Sequence, residues 1–209
     1  MAETKNIIFD LGGVLFDIDI RKTREAFIEL GYNRFDDMYT QYSADPLFAN
    51  LETGKISADD FCAELLAKSG NSLEPRQIVA AWNALLIGFR KQSILFLQKL
   101  QSHYSIYLLS NTNIIHQDAF MAVFETETGL SGNFNQLFTK AYYSHEIGYR
   151  KPNADIFEYV LDDAGLRASE TLFIDDSYNN IDAANALGFK THLMQPGENI
   201  ETLPELKII

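Results

Sequence analysis

Short apolar runs separated by segments of helical period are the feature of this sequence that most limits its fold. Each run is only a few residues long, which suits a strand, and the segments between the later runs are long enough for helices. The strand candidates are Asn6–Phe9, Ser105–Leu109, Leu137–Tyr143 (the weakest), Thr171–Ile174 and Phe189–Met194. The helix candidates are Gln92–Gln101, Ala154–Ala164 and Asn180–Leu187. Such alternation predicts an α/β fold, a mainly parallel sheet with helices on both faces.

The stretch from Arg21 to Phe89 breaks this alternation because it carries no strand pattern. Its helix candidates are Arg21–Leu30, Ser57–Lys68 and Glu74–Ile87. The second opens with Ser57 and Asp60 at the spacing of a capping box, and the third has Pro75 in its first turn. The pattern predicts a small all-helical insert after the first strand.

The chain is acidic, with 29 Asp and Glu against 17 Lys and Arg and a formal net charge of −12. An acidic surface repels phosphate backbones and anionic headgroups, so we expect no nucleic acid and no membrane as partner. Cys62 is the only cysteine, which excludes an intramolecular disulfide and suits a reducing compartment. No apolar run reaches the roughly 18–20 residues of a membrane-spanning helix, and the first residues lack a signal-peptide pattern. We therefore expect a soluble, cytoplasmic protein.

Carboxylates directly follow two of the predicted strands. Asp10 comes after the first strand, and Asp175 and Asp176 come after Thr171–Ile174. Ligands of open α/β sheets bind at the carboxyl ends of the strands, so these side chains are expected to meet there. Crowded like charges need a partner, and Mg²⁺ prefers oxygen ligands while leaving positions for a phosphate. The alternative is that Asp175 and Asp176 only cap the helix that follows.

Three further residues have the chemistry of a phosphate site. Ser110 and the backbone amide of Asn111 come after the strand Ser105–Leu109 and offer neutral donors. Lys151, in a Lys-Pro pair, offers a cation that can hold a nucleophile and a phosphate oxygen together. The alternatives are a helix N-cap for Ser110 and a solvated loop position for Lys151.

Four motifs in a fixed order give the sequence its resemblance to the haloacid dehalogenase superfamily. The motifs are Phe9–Leu15 (FDLGGVL), Leu109–Asn111 (LSN), Lys151-Pro152 and Ile174–Asp176 (IDD). The resemblance implies a Rossmann-like catalytic core at residues 1–16 and 90–209 and a helical cap at residues 17–89. The segments Leu51–Ser57 (LETGKIS) and Ala81–Asn83 (AWN) are similar to the cap of small sugar-phosphate phosphatases in this superfamily.

The resemblance implies a Mg²⁺-dependent phosphatase acting on a small phosphorylated metabolite, with sugar phosphates among the candidates. Asp10 would attack phosphorus and form an aspartyl-phosphate. Lys151 would share in catalysis, and Ser110, Asn111 and Lys151 would bind the transferring phosphoryl oxygens.

The resemblance also implies the ligands of the metal. Asp10, the Gly12 carbonyl and Asp176 would hold Mg²⁺. Asp175 would either bind the ion directly or lie just outside its ligands. The four positions lie in the first and last of the four motifs.

The sequence departs from the family pattern at Gly12. Many phosphatases of this superfamily carry there an aspartate that protonates the leaving alcohol, an effect worth roughly 10²–10⁴-fold in rate. Without it we expect a preference for leaving groups that depart without protonation, such as anomeric, acyl or aryl phosphates. Asp17, Asp19 and His116 are the nearby titratable candidates to replace it.

Two alternative functions stay open on the sequence alone. A 2-haloacid dehalogenase also lacks an acid at the Gly12 position, but it needs no metal and therefore no Asp175-Asp176 pair. A weakly active phosphate-binding protein of the same fold would explain Gly12, but not the presence of Asp10 and Lys151. The sequence specifies neither the substrate nor the oligomeric state.

Overall fold

The computed structural model describes residues 3–37, 39, 45–69 and 72–206. The strands are β1 (Asn6–Phe9), β2 (Phe16–Ile18), β3 (Leu86–Phe89), β4 (Ser105–Ser110), β5 (Lys140–Tyr143), β6 (Thr171–Asp175) and β7 (Lys190–Leu193). The helices are α1 (Ile20–Glu29), α2 (Pro46–Glu52), α3 (Ala58–Ser69), α4 (Pro75–Asn83), α5 (Lys91–Leu100), α6 (Ile114–Thr128), α7 (Ser144–Ile147), α8 (Ala154–Ala164) and α9 (Tyr178–Ala186). Within these ranges, no helix has the length and apolar character needed to cross a membrane.

Five strands form one parallel sheet in the order β5-β4-β1-β6-β7. Phe9, the last residue of β1, lies opposite Leu108 of β4 on one side and Ile174 of β6 on the other. The carboxyl ends of these three central strands therefore meet at one edge of the sheet. That edge carries Asp10, which directly follows β1.

Both faces of the sheet are covered, which explains why the central strands are apolar throughout. On one face, Ile7 and Phe9 pack with buried residues of α5 and α6. On the other face, Ile8 packs with buried residues of α8 and α9. The predicted fold class, a mainly parallel sheet with helices on both faces, is confirmed.

Helices α1 to α4 enclose a separate hydrophobic cluster away from the sheet, to which α6 adds Ile115. Trp82 of α4 is completely buried at its centre. Its ring lies against several aromatic neighbours, with centroids 4.9 to 6.5 Å away: Phe27, Tyr39, Phe48 and Phe61. Aromatic burial thus gives this helical segment a core of its own.

The helical segment is joined to the sheet by a two-stranded antiparallel ribbon of β2 and β3. The sequence analysis placed Leu86 and Ile87 at the end of a helix starting at Glu74, but α4 ends at Asn83 and Leu86–Phe89 is a strand. A short apolar run can form either a helix or a strand, and the segment that it pairs with determines which one forms. Here the partner is β2, with Phe16 opposite Phe89.

The weakest strand candidate, Leu137–Tyr143, is shorter than predicted. Leu137 ends a 3₁₀ helix that starts at Phe134, and β5 begins only at Lys140. Asn133 caps that turn because its side chain accepts a hydrogen bond from Asn135 N. The cap keeps the first part of the run out of the sheet.

Replacing Trp82 by alanine is expected to cost about 3–5 kcal/mol of unfolding free energy, because the cavity it leaves cannot collapse around the four aromatic rings that surround it. Tyr178→Ala, at a side chain that is 67% exposed, is expected to stay within about 0.5 kcal/mol. Urea unfolding followed by circular dichroism measures both values. Equal stability of the two variants would contradict the packing role of Trp82.

Candidate active site

Three carboxylates converge at the carboxyl edge of the sheet. One carboxylate oxygen of Asp10, one of Asp175 and one of Asp176 lie within 4.8 Å of one another. Burial raises the pKa of Asp10 above its ordinary value, and the charges of Asp175 and Asp176 raise it further. Burial and the charge of Asp175 raise the pKa of Asp176 as well. The cluster therefore favours a bound cation, which relieves both effects.

Lys151 is the cation that this cluster already contains. Its side chain is 1% exposed, and Nζ lies 2.8 Å from Asp10 Oδ1 and 2.7 Å from Asp175 Oδ2. Nζ also donates a hydrogen bond to Leu109 O at 2.8 Å. Burial lowers the pKa of Lys151, but the two carboxylates outweigh it, so the net shift is upward. The alternative of a solvated loop lysine is wrong, because burial and pairing fix this ammonium group.

Asp175 is occupied by protein donors. It is fully buried, and Oδ1 accepts hydrogen bonds from Ser177 N at 2.8 Å and Asn180 Nδ2 at 3.0 Å. Oδ2 accepts from Lys151 at 2.7 Å. Asp175 therefore holds Lys151 and the start of α9 in place, so it does more than cap a helix. Its neighbour Asp176 lines the cavity above the sheet.

Gly13 allows Asp176 to approach β1 closely. Its φ is +70°, and a Cβ at this position would lie 2.3 Å from Asp176 Oδ2. Any other residue would therefore push the carboxylate away. The sequence analysis assigned no role to Gly13, although a Gly-Gly pair after a strand is a recognisable signal for close backbone approach.

Ser110 and Asn111 lie at the end of β4, beside the carboxylates. Ser110 is buried and lines the cavity. It does not cap α6, because that N-cap is Asn113. The Asn111 side chain accepts from Lys151 N and donates to Lys151 O, both at 2.8 Å. Asn111 thus holds the loop that carries Lys151, a role that the sequence did not indicate.

Gly12 faces the same cavity and is free of backbone strain. A Cβ here would meet Ile18 Cδ1 at 3.1 Å, the end of a flexible side chain. Among the candidates for the missing acid, Asp19 caps α1 and pairs with Arg21, which lowers its pKa. Asp19 is therefore a poor proton donor at neutral pH.

The other two candidates differ in their environments. Burial lowers the pKa of His116 to about 3, so its ring is neutral and has no spare proton to supply as an acid. Asp17 lines the cavity, is half exposed and pairs with Arg90 at 2.7 Å. None of the three therefore replaces the missing acid on the geometry of the described residues.

A cavity of about 510 Å³ lies between the carboxylates and the helical segment. This size suits a small metabolite. Its far side includes Tyr39, Glu52 and Arg150. Arg150 Nη2 lies 2.9 Å from Glu52 Oε2, and Tyr39 donates a hydrogen bond to Glu52 Oε1 at 3.1 Å. The sequence analysis quoted Glu52 only as part of a motif and did not identify this pair.

Comparison with known proteins gives close relatives over almost the whole chain. A D-ribitol-5-phosphate phosphatase of Bacteroides thetaiotaomicron is 35% identical over 206 residues, covering 98% of each chain. A haloacid dehalogenase-family enzyme of the same species, solved with magnesium and inorganic phosphate, has a TM-score of 0.83 at 34% identity, covering 94% of this chain and 97% of that one. A hydrolase of the same type from Porphyromonas gingivalis has a TM-score of 0.85 at 34% identity, covering 94% of each.

The family itself follows from a match to most of the chain. The model of haloacid dehalogenase-like hydrolases matches residues 4–188, which include all four motifs of the sequence analysis. The carboxylates, the buried lysine and the sheet edge that carries them all lie within this range. The chain therefore belongs to the haloacid dehalogenase-like hydrolase family.

Proposed function

We propose that this chain is a Mg²⁺-dependent phosphatase that hydrolyses the phosphate monoester of a small sugar or polyol through an aspartyl-phosphate on Asp10. The observation that carries the proposal is the buried Lys151, held between Asp10 and Asp175 beside a third carboxylate. The related D-ribitol-5-phosphate phosphatase supports the substrate class. In this proposal residues 17–89 act as the cap that closes over the substrate.

The residues present fit a magnesium ion. Asp10 and Asp176 offer hard carboxylate oxygens, and the Gly12 carbonyl lies at the same cavity. Asp175 lies outside this set because Lys151, Ser177 and Asn180 already engage its oxygens. When bound, Mg²⁺ supplies positive charge that offsets the carboxylates and the phosphoryl oxygens. The magnesium and phosphate of the related solved enzyme support this assignment.

The chain's own residues divide the reaction between them. An Asp10 oxygen forms the bond to phosphorus while the bond to the leaving alcohol oxygen breaks. Lys151, Ser110 and the Asn111 backbone amide hold the phosphoryl oxygens, whose charge is spread in a loose transition state. Water then attacks the phosphorus of the aspartyl-phosphate, which releases inorganic phosphate and regenerates the Asp10 carboxylate. Bulk water protonates the departed alkoxide and takes up the proton that the attacking water loses.

The alternative functions explain less of the site. A 2-haloacid dehalogenase needs the nucleophile and the lysine, but the crowding of Asp176 against Asp10 would cost stability without serving that reaction. A weakly active binding protein rests on Gly12 alone. The intact contacts of Lys151 with Asp10 and Asp175 support an active enzyme instead.

Adding Mg²⁺ to metal-free protein is expected to raise its Tm, because an ion held by several carboxylates binds only the folded state. At 100 times its Kd the ion adds about 2.7 kcal/mol, which raises Tm on the order of 5–10 °C. Scanning calorimetry during a MgCl₂ titration measures this shift. Asp176→Asn should lose most of it, and Asp17→Asn, at a half-exposed carboxylate, should keep it. An unchanged shift in Asp176→Asn would overturn the metal assignment.

Asp10→Asn is expected to lower kcat for an aryl phosphate by about 10⁴-fold or more, because the amide removes the attacking oxygen but keeps the shape. Steady-state kinetics in excess Mg²⁺ measures the loss. Asp19→Asn is the matched control, since asparagine caps α1 equally well and activity should stay within about threefold. Near-normal turnover of Asp10→Asn would show that water attacks directly.

Gly12→Asp is expected to weaken the dependence of rate on leaving-group pKa, because the new carboxyl group can protonate the departing oxygen. In the parent enzyme, aryl phosphates should react faster than alkyl phosphates that lack hydroxyl groups. The slope of log kcat/KM against leaving-group pKa measures the effect. Gly12→Asn, which has the same shape but no acidic proton, is the control. A flat slope in the parent would show that another group already supplies the proton.

A further inference from the structure

Asn113 carries a buried donor that no described residue uses. The side chain is 1% exposed, and Oδ1 accepts hydrogen bonds from Ile115 N and His116 N at the start of α6. Nδ2 has no hydrogen-bond partner among the described residues. Leaving a buried donor unpaired destabilises the folded state. Asn113 is also one of the residues that line the cavity.

The pair of Glu52 and Arg150 has unused hydrogen-bonding capacity on the same cavity. Glu52 is 4% exposed, and its Oε2 lies at ion-pair distance from Arg150 without a hydrogen bond of good geometry. Arg150 Nε is buried and also lacks a partner in the described part of the chain. The charges of Glu52 and Arg150 cancel. The pair therefore has no net charge but still offers a ligand one acceptor, Glu52 Oε2, and one donor, Arg150 Nε.

His116 adds a second acceptor. Its ring stacks on Trp82 with centroids 4.7 Å apart, and Nδ1 lies 2.8 Å from the acceptor Asn83 Oδ1. Nδ1 therefore carries the proton, and since burial keeps the ring neutral, Nε2 carries a lone pair. His116 follows Asn113 by one helical turn and lines the same cavity.

We propose that these four residues, which we call the polar wall (Glu52, Asn113, His116 and Arg150), bind hydroxyl groups of the leaving alcohol and select a polyhydroxylated, uncharged leaving group. A hydroxyl donates one hydrogen bond and can accept up to two. The wall offers two donors, Asn113 Nδ2 and Arg150 Nε, and two acceptors, Glu52 Oε2 and His116 Nε2. A second anionic group finds no free cation here, because Glu52 neutralises Arg150. This inference rests on the proposed function for the position of the phosphate.

The test compares two phosphates of equal chain length. A pentitol phosphate carries hydroxyl groups along its five carbons, and n-pentyl phosphate carries none. Two or three hydrogen bonds at about 1 kcal/mol each give a ratio of kcat/KM on the order of 100 in favour of the pentitol. A ratio near one would overturn the proposal.

Two variants identify the wall as the source of this ratio. Asn113→Ser keeps a good N-cap for α6 but removes the amide donor, and His116→Phe keeps the stacking on Trp82 but removes the acceptor. Each is expected to lower the ratio about fivefold, the effect of one hydrogen bond. Asn179→Ser, an exposed position at the same cavity, is the control and should leave the ratio as it is. Equal losses on both substrates would show that Asn113 and His116 act only in folding.

A binding measurement separates this inference from the proposed function. Calorimetry with Mg²⁺ and the Asp10→Asn variant compares the Kd of the pentitol phosphate with that of n-pentyl phosphate. Tighter pentitol binding without turnover by the parent protein would refute the phosphatase and support the wall. Turnover of both phosphates at equal kcat/KM would support the phosphatase and refute the wall. Absence of pentitol phosphate binding would also refute the wall.

Discussion

The ammonium group of Lys151 is the contact on which the geometry of the site depends. An unpaired charge at such a buried position would cost several kcal/mol, so its three partners have to stay in place. These partners are Asp10, Asp175 and Leu109 O, which follow β1, end β6 and lie near the end of β4. One side chain therefore ties together the carboxyl ends of three neighbouring strands. A shift of its loop would leave two buried carboxylates without their cation, so these contacts oppose such a shift even without a ligand.

The same loop connects the sheet to the helical segment. Arg150 directly precedes Lys151 and pairs with Glu52 at the end of α2, while Asn111 holds the Lys151 backbone from the other side. The position of α2 is thus linked to the position of the Lys151 ammonium group through one peptide bond. A ligand that contacts Glu52 or Arg150 would act on the same loop that carries Lys151, the partner of Asp10. In the proposed function, this arrangement relates recognition of the leaving group to the geometry of phosphoryl transfer.

The parts of the site that follow strand ends could be predicted, and the parts that depend on distant contacts could not. Apolar runs show where strands stop, so the meeting of Asp10 with Asp175 and Asp176 follows from the parallel sheet alone. The bond between Asn111 and Lys151 joins residues 40 positions apart, and no periodic pattern marks it. No sequence pattern marks the pairing of Glu52 with Arg150 either. Strand β3 was missed for the same reason, since only its pairing with β2 distinguishes it from the end of a helix.

The adjacent glycines of the first motif are there for different physical reasons. Gly13 is required by the fold, because its φ of +70° and the position of Asp176 leave no room for a side chain. Gly12 is not required in this way, because a Cβ there would meet only the flexible end of Ile18. Packing therefore does not exclude an aspartate at position 12, and its absence affects the chemistry of the site. In an enzyme without that acid, proton transfer does not lower the barrier to departure of the leaving group. Contacts that hold the leaving group in line can lower this barrier instead, because their binding energy stabilises the transition state. The polar wall lies on the same cavity, where the proposed contacts with the leaving group would form.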